Sequence, residues 1–470
     1  MLKQFMYLLL ILTISITQAQ QKTITGIVSD NSGILAGVLI KVKGTVTGTE
    51  SDFDGKYTLN AKIRDTLLFT YLGYKQVQKI VGRSNVIHVK MIEQANALDE
   101  IVVVGYGIEA ERSFTSAVRG VSVVDDTESY SHKTIENYKP QSGQLTAGEI
   151  NDFENWLDWK KLYKNKDFIK VKNQWNFNVK NYIEVFVKDI NNKPITNATV
   201  LLLNDEHIVI GKTKTDVFGK AILFREKGKY HTVQALHNNE IKGLKVTSNH
   251  QKINFTFLKS IENYDIDIMF TIDATGSMGD EIDYLKSEIE NIINRVDTSI
   301  QSKRVGLTFY RDIGDAYVVK DFDFTTNIKT VKHNLSQQYA SGGGDYEEAV
   351  EKALQVSLSK SWNEKATAKL LFLLLDAPPH YNQENVKIIK NAIKIAQEKG
   401  IKIIPIVASG ADKTVEFLMR FFSISTNGTY VFLTDDSGIG NSHLKPTSDN
   451  YKVEKLNDLI VRLIEKYAGI

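Results

Sequence analysis

The 470-residue chain has no cysteine. That one absence excludes disulfides, thiolate zinc sites, iron–sulfur clusters and cysteine nucleophiles. It also excludes a bacterial lipoprotein, which needs a lipidated cysteine at its cleavage site. Net charge is scarce as well. Lys and Arg number 58 against 56 Asp and Glu, leaving +2, and no basic run stands out. That balance gives no footing for a nucleic-acid partner or an anionic membrane surface. Beyond the first residues there is no apolar run long enough for a membrane-spanning helix. The chain also lacks a Gly-x-x-x-x-Gly-Lys-Ser/Thr phosphate loop. The "TGSMG" around Ser277 lacks the first glycine of a Gly-x-Ser-x-Gly elbow, so Ser277 is a poor hydrolase nucleophile.

The start of the chain reads as an export signal. "MLKQFMYLLLILTISITQAQQ" has Lys3, an apolar core from Phe5 to Ile16, and small residues at Thr17 and Ala19. This predicts a signal peptide over residues 1–19. An uncleaved anchor is the alternative, although the core is short for a membrane span. The expected destination is the periplasm or the outer membrane, with the cell surface or secretion beyond it. Without disulfides, the exported domains must be held by core packing alone.

From residue 20 to 93, short alternating runs such as "KTITGIVS", "GKYTLNA" and "TLLFTYLGY" predict a small antiparallel β-sandwich, with a hairpin at Asp54-Gly55. The stretch "ITGIVSDNSGILAGVLIKVKGTVTGTESDFDGKYTL" resembles the carboxypeptidase-regulatory-like domain found at the front of Bacteroidetes outer-membrane receptors. "ALDEIVVVGYG" (Ala97 to Gly107) resembles the strand leading into the plug of TonB-dependent receptors, so residues 94–140 are expected to be a plug-like segment and linker. The resemblance stops there. A receptor barrel needs many further alternating strands of about 10 residues, and none follow.

Residues 141–181 are expected to be a helical linker. Thr146 and Glu149 fit a capping box opening a helix through Tyr163. Trp156 and Trp159, three apart on one face, are expected to pack on a neighbouring domain. Residues 182–260 read as a second, Ig-like β-sandwich. "TDVFGKAIL" (Thr215 to Leu223) echoes "SDFDGKYTL" (Ser51 to Leu59), which is either an internal repeat or convergent turn chemistry.

From residue 262 to 470 the period changes. Apolar runs ("DIDIMFTI", "RVGLTFY", "KLLFLLLD", "IKIIPIVA") alternate with helical patterns. They predict an α/β doubly wound, Rossmann-like open sheet, whose ligand sites lie at the carboxyl ends of the strands. Asp273, Asp312 and Asp376 fall at such ends. Asp273, Thr275 and Ser277 supply three oxygens from one loop. Asp345 follows the glycines at 342–344, which let the backbone approach closely. Asp376 closes a third loop. This is a hard-oxygen set that suits Mg²⁺, Mn²⁺ or Ca²⁺. Thr275, Ser277 and Asp345 also suit helix caps.

These loops, together with "GLTFYRD" and "GGGDYEEA", resemble a von Willebrand factor type A domain and its metal-ion-dependent adhesion site. The resemblance covers most of residues 262–470. It implies metal ligands at Asp273, Thr275, Ser277, Asp345 and Asp376. Asp345 stands where many members carry Thr, and either direct or water-mediated contact is open. Asp312, Gly343, Gly344 and His380 are further candidates for touching the ligand or orienting its water. His380 has no second histidine at ligand spacing and reads as a loop residue.

The resemblance implies a non-enzymatic binding or adhesion protein. A divalent cation, Mg²⁺ first and Ca²⁺ or Mn²⁺ as alternatives, would hold a protein or peptide carboxylate. The two other readings are an accessory of an outer-membrane TonB-linked system and a metal-dependent hydrolase.

Overall fold

Period-2 alternation does build the first sandwich: along Lys56–Lys62, Tyr57, Leu59 and Ala61 are buried while their neighbours face solvent. The computed structural model describes residues 21–31, 33–52, 54–71, 74–93, 145–225, 231–247, 252–258, 265–297, 300–435, 443–448 and 451–470. The expected signal peptide and plug-like segment lie outside the described residues.

The first sandwich packs a three-stranded sheet, Lys56–Lys62, Gln21–Ser29 and Val89–Lys90, on a four-stranded one. The latter runs Gly48–Glu50, Leu39–Val42, Thr66–Thr70 and Val77–Ile80. The second sandwich, from Tyr182 to Phe257, repeats this plan. Its first strand, Tyr182–Asp189, lies between Lys220–Phe224 (antiparallel) and Lys252–Phe257 (parallel), as Gln21–Ser29 does between its own partners. The hydrogen bonds repeat too. Ser51 Oγ accepts from Val38 N at 2.9 Å and donates to Leu35 O at 2.7 Å. Thr215 Oγ1 accepts from Ala198 N at 2.9 Å and donates to Ile195 O at 2.6 Å. Gly55 and Gly219 turn their hairpins at φ 69° and 68°. Turn chemistry alone would not reproduce the strand order, so the echo is a repeat of one sandwich plan.

The α/β domain has an eight-stranded sheet. In chain order its strands are β1 (Thr146–Ile150), β2 (Asp265–Asp273), β3 (Ser302–Tyr310), β4 (Val319–Thr325), β5 (Ala368–Leu375), β6 (Ile401–Val407), β7 (Tyr430–Thr434) and β8 (Val453–Lys455). Their spatial order is β4-β3-β2-β5-β6-β7-β1-β8. In that spatial order the five strands from β3 across to β7 are parallel, β4 and β1 run antiparallel to them, and β8 pairs antiparallel with β1. The parallel strands read as unbroken apolar runs because helices cover both faces. Helices α1 (Trp156–Leu162), α2 (Lys166–Gln174), α5 (Val350–Ser359), α6 (Gln383–Lys399) and α7 (Lys413–Ser425) pack on one face. Helices α3 (Gly279–Arg295), α4 (Ile328–Ser336) and α8 (Leu456–Ala468) pack on the other. The chain leaves β2 for β3 on one side, and β5 lies on the other, so the β2/β5 boundary is the switch point where such sheets bind ligands.

One expectation is corrected. Thr146 and Glu149 do not cap a helix; they lie in β1, which pairs antiparallel with β7 (Thr146 opposite Thr434, Ile150 opposite Tyr430) and with β8. The helix begins only at Trp156. Residues 145–181 are therefore part of the α/β layers and not a linker outside them. Trp159 is wholly buried, edge-on to Phe421 of α7, and its indole N–H donates to Val179 O at 2.8 Å. Trp156 packs on Phe153 and on Tyr182 of the second sandwich.

Candidate metal centre

β2 ends in Asp273, which is fully buried. Its Oδ1 accepts from Thr275 N at 2.9 Å and Thr275 Oγ1 at 2.7 Å, so this loop holds one carboxylate oxygen still. Its Oδ2 is sealed from solvent, makes no hydrogen bond of good geometry, and has the buried Tyr310 phenol as its polar neighbour. Thr275 Oγ1 lies 3.5 Å from Ser277 Oγ, and Ser277 also hydrogen-bonds Asp376 after β5. Asp273, Thr275, Ser277 and Asp376 thus converge at the switch point. Ser277 is exposed and marks the open side, whereas the other three are buried.

The glycine loop closes over them. Gly276 N donates to Gly342 O at 3.1 Å, and Ser341 N to Ala274 O at 3.0 Å. Gly342 and Gly343 have φ of 85° and 81°, a region that disfavours side chains. A Cβ on Gly342 would also meet the Asp315 carboxylate at 2.4 Å. Gly343 N donates to Asp315 Oδ2 at 3.0 Å, while Gly344 stands in open space. Arg311 ties the neighbouring loops: Nε donates to Ala274 O at 3.1 Å and Nη2 to Tyr339 O at 2.9 Å.

Asp345 is not drawn into this group. Its side chain is 68% exposed, and its Oδ1 lies 3.9 Å from His380 Nε2. The buried carboxylate from this loop belongs instead to Glu348, three residues on. Its N–H donates to Pro378 O at 2.9 Å, beside Asp376, and its Oε2 is sealed without a hydrogen bond. Sequence reading missed Glu348 because an acid just ahead of a helix looks like an exposed first-turn residue. The available signal was its position in "GGGDYEEAV", on the same loop.

Charge is badly balanced here. Burial, followed by the Asp376 charge, pushes the Asp273 carboxyl up to about 7. Burial, with Asp273, Asp312 and Asp376 nearby, pushes Glu348 up to about 9. Burial also lifts Asp376, against its bond from Ser277. Burial and the neighbouring carboxylates hold the Tyr310 phenol well above its usual range. Among the described residues no Lys or Arg pairs with Asp273, Glu348 or Asp376. Sealed carboxylates without a cation are costly. Hydroxyls and carboxylates around an orphaned oxygen fit a hard divalent ion, which would lower each raised carboxyl.

The fold and site define a multidomain chain of two β-sandwiches joined to an α/β domain with an acidic, oxygen-lined centre. Residues 267–443 match the von Willebrand factor type A domain and residues 24–103 the CarboxypepD_reg-like domain, so the chain carries both. Type A domains often bind a divalent cation and typically serve as interaction modules. TonB-dependent receptor P26 of Formosa agariphila is 41% identical over 102 residues, 22% of this chain and 10% of the receptor. TonB-dependent receptor SusC of Bacteroides thetaiotaomicron is 39% identical over 105 residues, again 22% and 10%. The chain thus matches about a tenth of the length of these relatives. The conserved hypothetical protein BatB from Bacteroides thetaiotaomicron, a solved structure, aligns with 44% of this chain and 100% of its own at 16% identity and a TM-score of 0.31. No described helix is long and apolar enough to cross a membrane.

Proposed function

We propose that this is an exported, non-enzymatic binding protein whose type A domain holds a protein or peptide carboxylate through a divalent cation. The carrying observation is the convergence of Asp273, Thr275, Ser277 and Asp376, two buried carboxyls and two hydroxyls, around a sealed carboxylate oxygen that no cation balances. Asp273, Asp376, Thr275 and Ser277 would hold the ion, with Glu348 behind them. Asp345, 68% exposed, stands outside the set that would hold this ion. Mg²⁺ suits the small all-oxygen set first, with Ca²⁺ and Mn²⁺ as alternatives. The ion supplies positive charge at an open coordination position, and a partner's carboxylate completes the shell.

The surround supports recognition. Ile313, Tyr339, Tyr346 and Tyr381, on the loops around the centre, are 60%, 64%, 44% and 38% exposed. Exposed aromatics beside a charged anchor are what binding hot spots are built from. Ser277 is engaged by Asp376 and Thr275, which leaves it badly placed as a nucleophile.

Peptide display against the full chain in Mg²⁺ tests this reading. Selected peptides are expected to carry Asp or Glu, to release in EDTA, and to lose binding to Asp273→Ala. Retention in EDTA, or equal capture by the variant, would sink it.

A second reading, an accessory of a TonB-linked outer-membrane system, is supported by the receptor matches at the N-terminus. Residues 99–107, "DEIVVVGYG", would add as a strand to a partner's sheet edge. A pull-down with a periplasmic TonB domain is expected to fail once 99–107 is deleted. Equal capture by the deletion variant rejects it.

A further inference from the structure

Three residues outside the Asp273 centre stand together. His380 Nε2 lies 3.3 Å from Asp312 Oδ1 and 3.9 Å from Asp345 Oδ1. One ligand atom from each lies within 4.8 Å of the others. They come from three loops on the binding side of the sheet: Asp312 after β3, Asp345 ahead of α5, His380 between β5 and α6. None shares a hydrogen bond or ion pair with Asp273 or Asp376.

Two features set this group apart from a chance surface cluster. It includes an imidazole, which hard-ion sites seldom use. It also holds buried polar atoms that lack hydrogen bonds, Asp312 Oδ1 having only its ion-pair contact to His380. Asp312 Oδ1 and His380 Nδ1 are shut off from solvent and make no hydrogen bond. Glu351, in the first turn of α5, is 0% exposed, and neither of its carboxylate oxygens makes a hydrogen bond. His380 and Asp312 are among the charges its carboxyl feels. Unsatisfied groups of this kind cost stability unless something balances them. A cation held by Asp312, Asp345 and His380 would add positive charge beside Asp312 and within the electrostatic reach of Glu351.

We propose that Asp312, Asp345 and His380 form a second cation site, separate from the Asp273 centre, that takes a borderline transition ion of the Zn²⁺ class. One imidazole with two carboxylates suits Zn²⁺ better than Mg²⁺ or Ca²⁺. Zinc bonds of about 2.0–2.2 Å place tetrahedral ligand atoms roughly 3.3–3.6 Å apart. The His380–Asp312 separation already matches, and the exposed Asp345 need move only slightly. Fixing Asp345 would also steady the glycine loop, which is bonded to Gly276 through Gly342 O. Three protein ligands leave a fourth position open.

Zn²⁺ titration calorimetry on the full chain in saturating Mg²⁺, which occupies the hard-oxygen centre, tests this. The parent chain is expected to take up one tight equivalent. His380→Ala and the exposed Asp345→Asn should each weaken it at least about tenfold, the low end of what even outer partners of a metal ligand cost. Asp273→Ala should leave it intact while abolishing Mg²⁺ binding. No Zn²⁺ uptake in Mg²⁺, unchanged uptake in His380→Ala, or loss of the Zn²⁺ equivalent in Asp273→Ala would each overturn the proposal. The Mg²⁺ arm reports separately on the Asp273 centre.

Discussion

In EDTA at pH 8, Asp273→Asn is expected to melt above the parent chain, and in saturating Mg²⁺ the order is expected to reverse. The argument starts from Asp273 Oδ2, sealed from solvent and balanced by no cation, near Asp376 and Glu348. Burial and Asp376 raise its folded pKa from 3.8 to about 7. A carboxyl whose folded pKa is raised binds more protons folded than unfolded. Its ionisation therefore destabilises the fold progressively as pH rises from about 4 through about 7, and at pH 8 the full cost is present. Asn keeps an oxygen for the two Thr275 bonds and removes the charge. The gain is on the order of a few kcal/mol, and each kcal/mol is worth about 2–4 °C in a domain of this size. Mg²⁺ at about ten thousand times its Kd stabilises the parent by about 5.5 kcal/mol, which exceeds that gain, and the variant forfeits it. Differential scanning calorimetry in both buffers reads the crossover. A variant that melts below its parent in EDTA would mean that Asp273 is already satisfied without an ion.

Much of this centre was legible because its loops follow buried parallel strands. β5 has no polar alternation after its first residues and that of β2 is confined to Asp265 and Asp267 at its start, so Asp273 and Asp376 stand out where "DIDIMFTI" and "LLFLLL" end. The order of the first-loop hydroxyls carried over directly. The third loop was harder. Positive φ at Gly342 and Gly343 turns the chain so that Asp345 faces outward, while the pairing of Glu348 with Pro378 draws that side chain inward. Neither is visible in local spacing, because the pairing joins segments that are distant in sequence. The same limit explains β1. "TAGEI" meets the local rule for a helix start, but Tyr430–Thr434, some 280 residues later, offers a sheet edge that outcompetes it. The sandwich repeat lay between these extremes: its Asp and Gly residues were visible, whereas its matching strand order was not.

The second large effect concerns that edge. Arg420→Met on α7 is expected to destabilise the α/β domain by about 3–5 kcal/mol, the usual cost of breaking a buried ion pair from one side. Arg420 is 1% exposed; its Nε donates to Asp152 Oδ2 at 2.9 Å and its Nη1 to Glu416 Oε1 at 3.1 Å. Asp152 follows β1, and both carboxylates are as buried as the guanidinium. Removing Arg420 strands two charges in the core, although Glu416 retains bonds from Lys413, Thr447 N and Thr447 Oγ1. Asp152 keeps no such support, so most of the loss should appear as detachment of β1 and its helices from β7 and α7. Truncation supplies the complementary test. A fragment of residues 262–470 lacks β1, Trp159 and Phe168, leaving β7 and β8 unpaired along that edge and Phe421 without its aromatic neighbours. It is expected to be aggregation-prone and to show no cooperative melt, whereas residues 145–470 should unfold cooperatively in urea. If the shorter fragment melts as sharply and as high as the longer one, β1 and its helices contribute nothing essential, and Arg420→Met should then cost far less than a buried pair normally does.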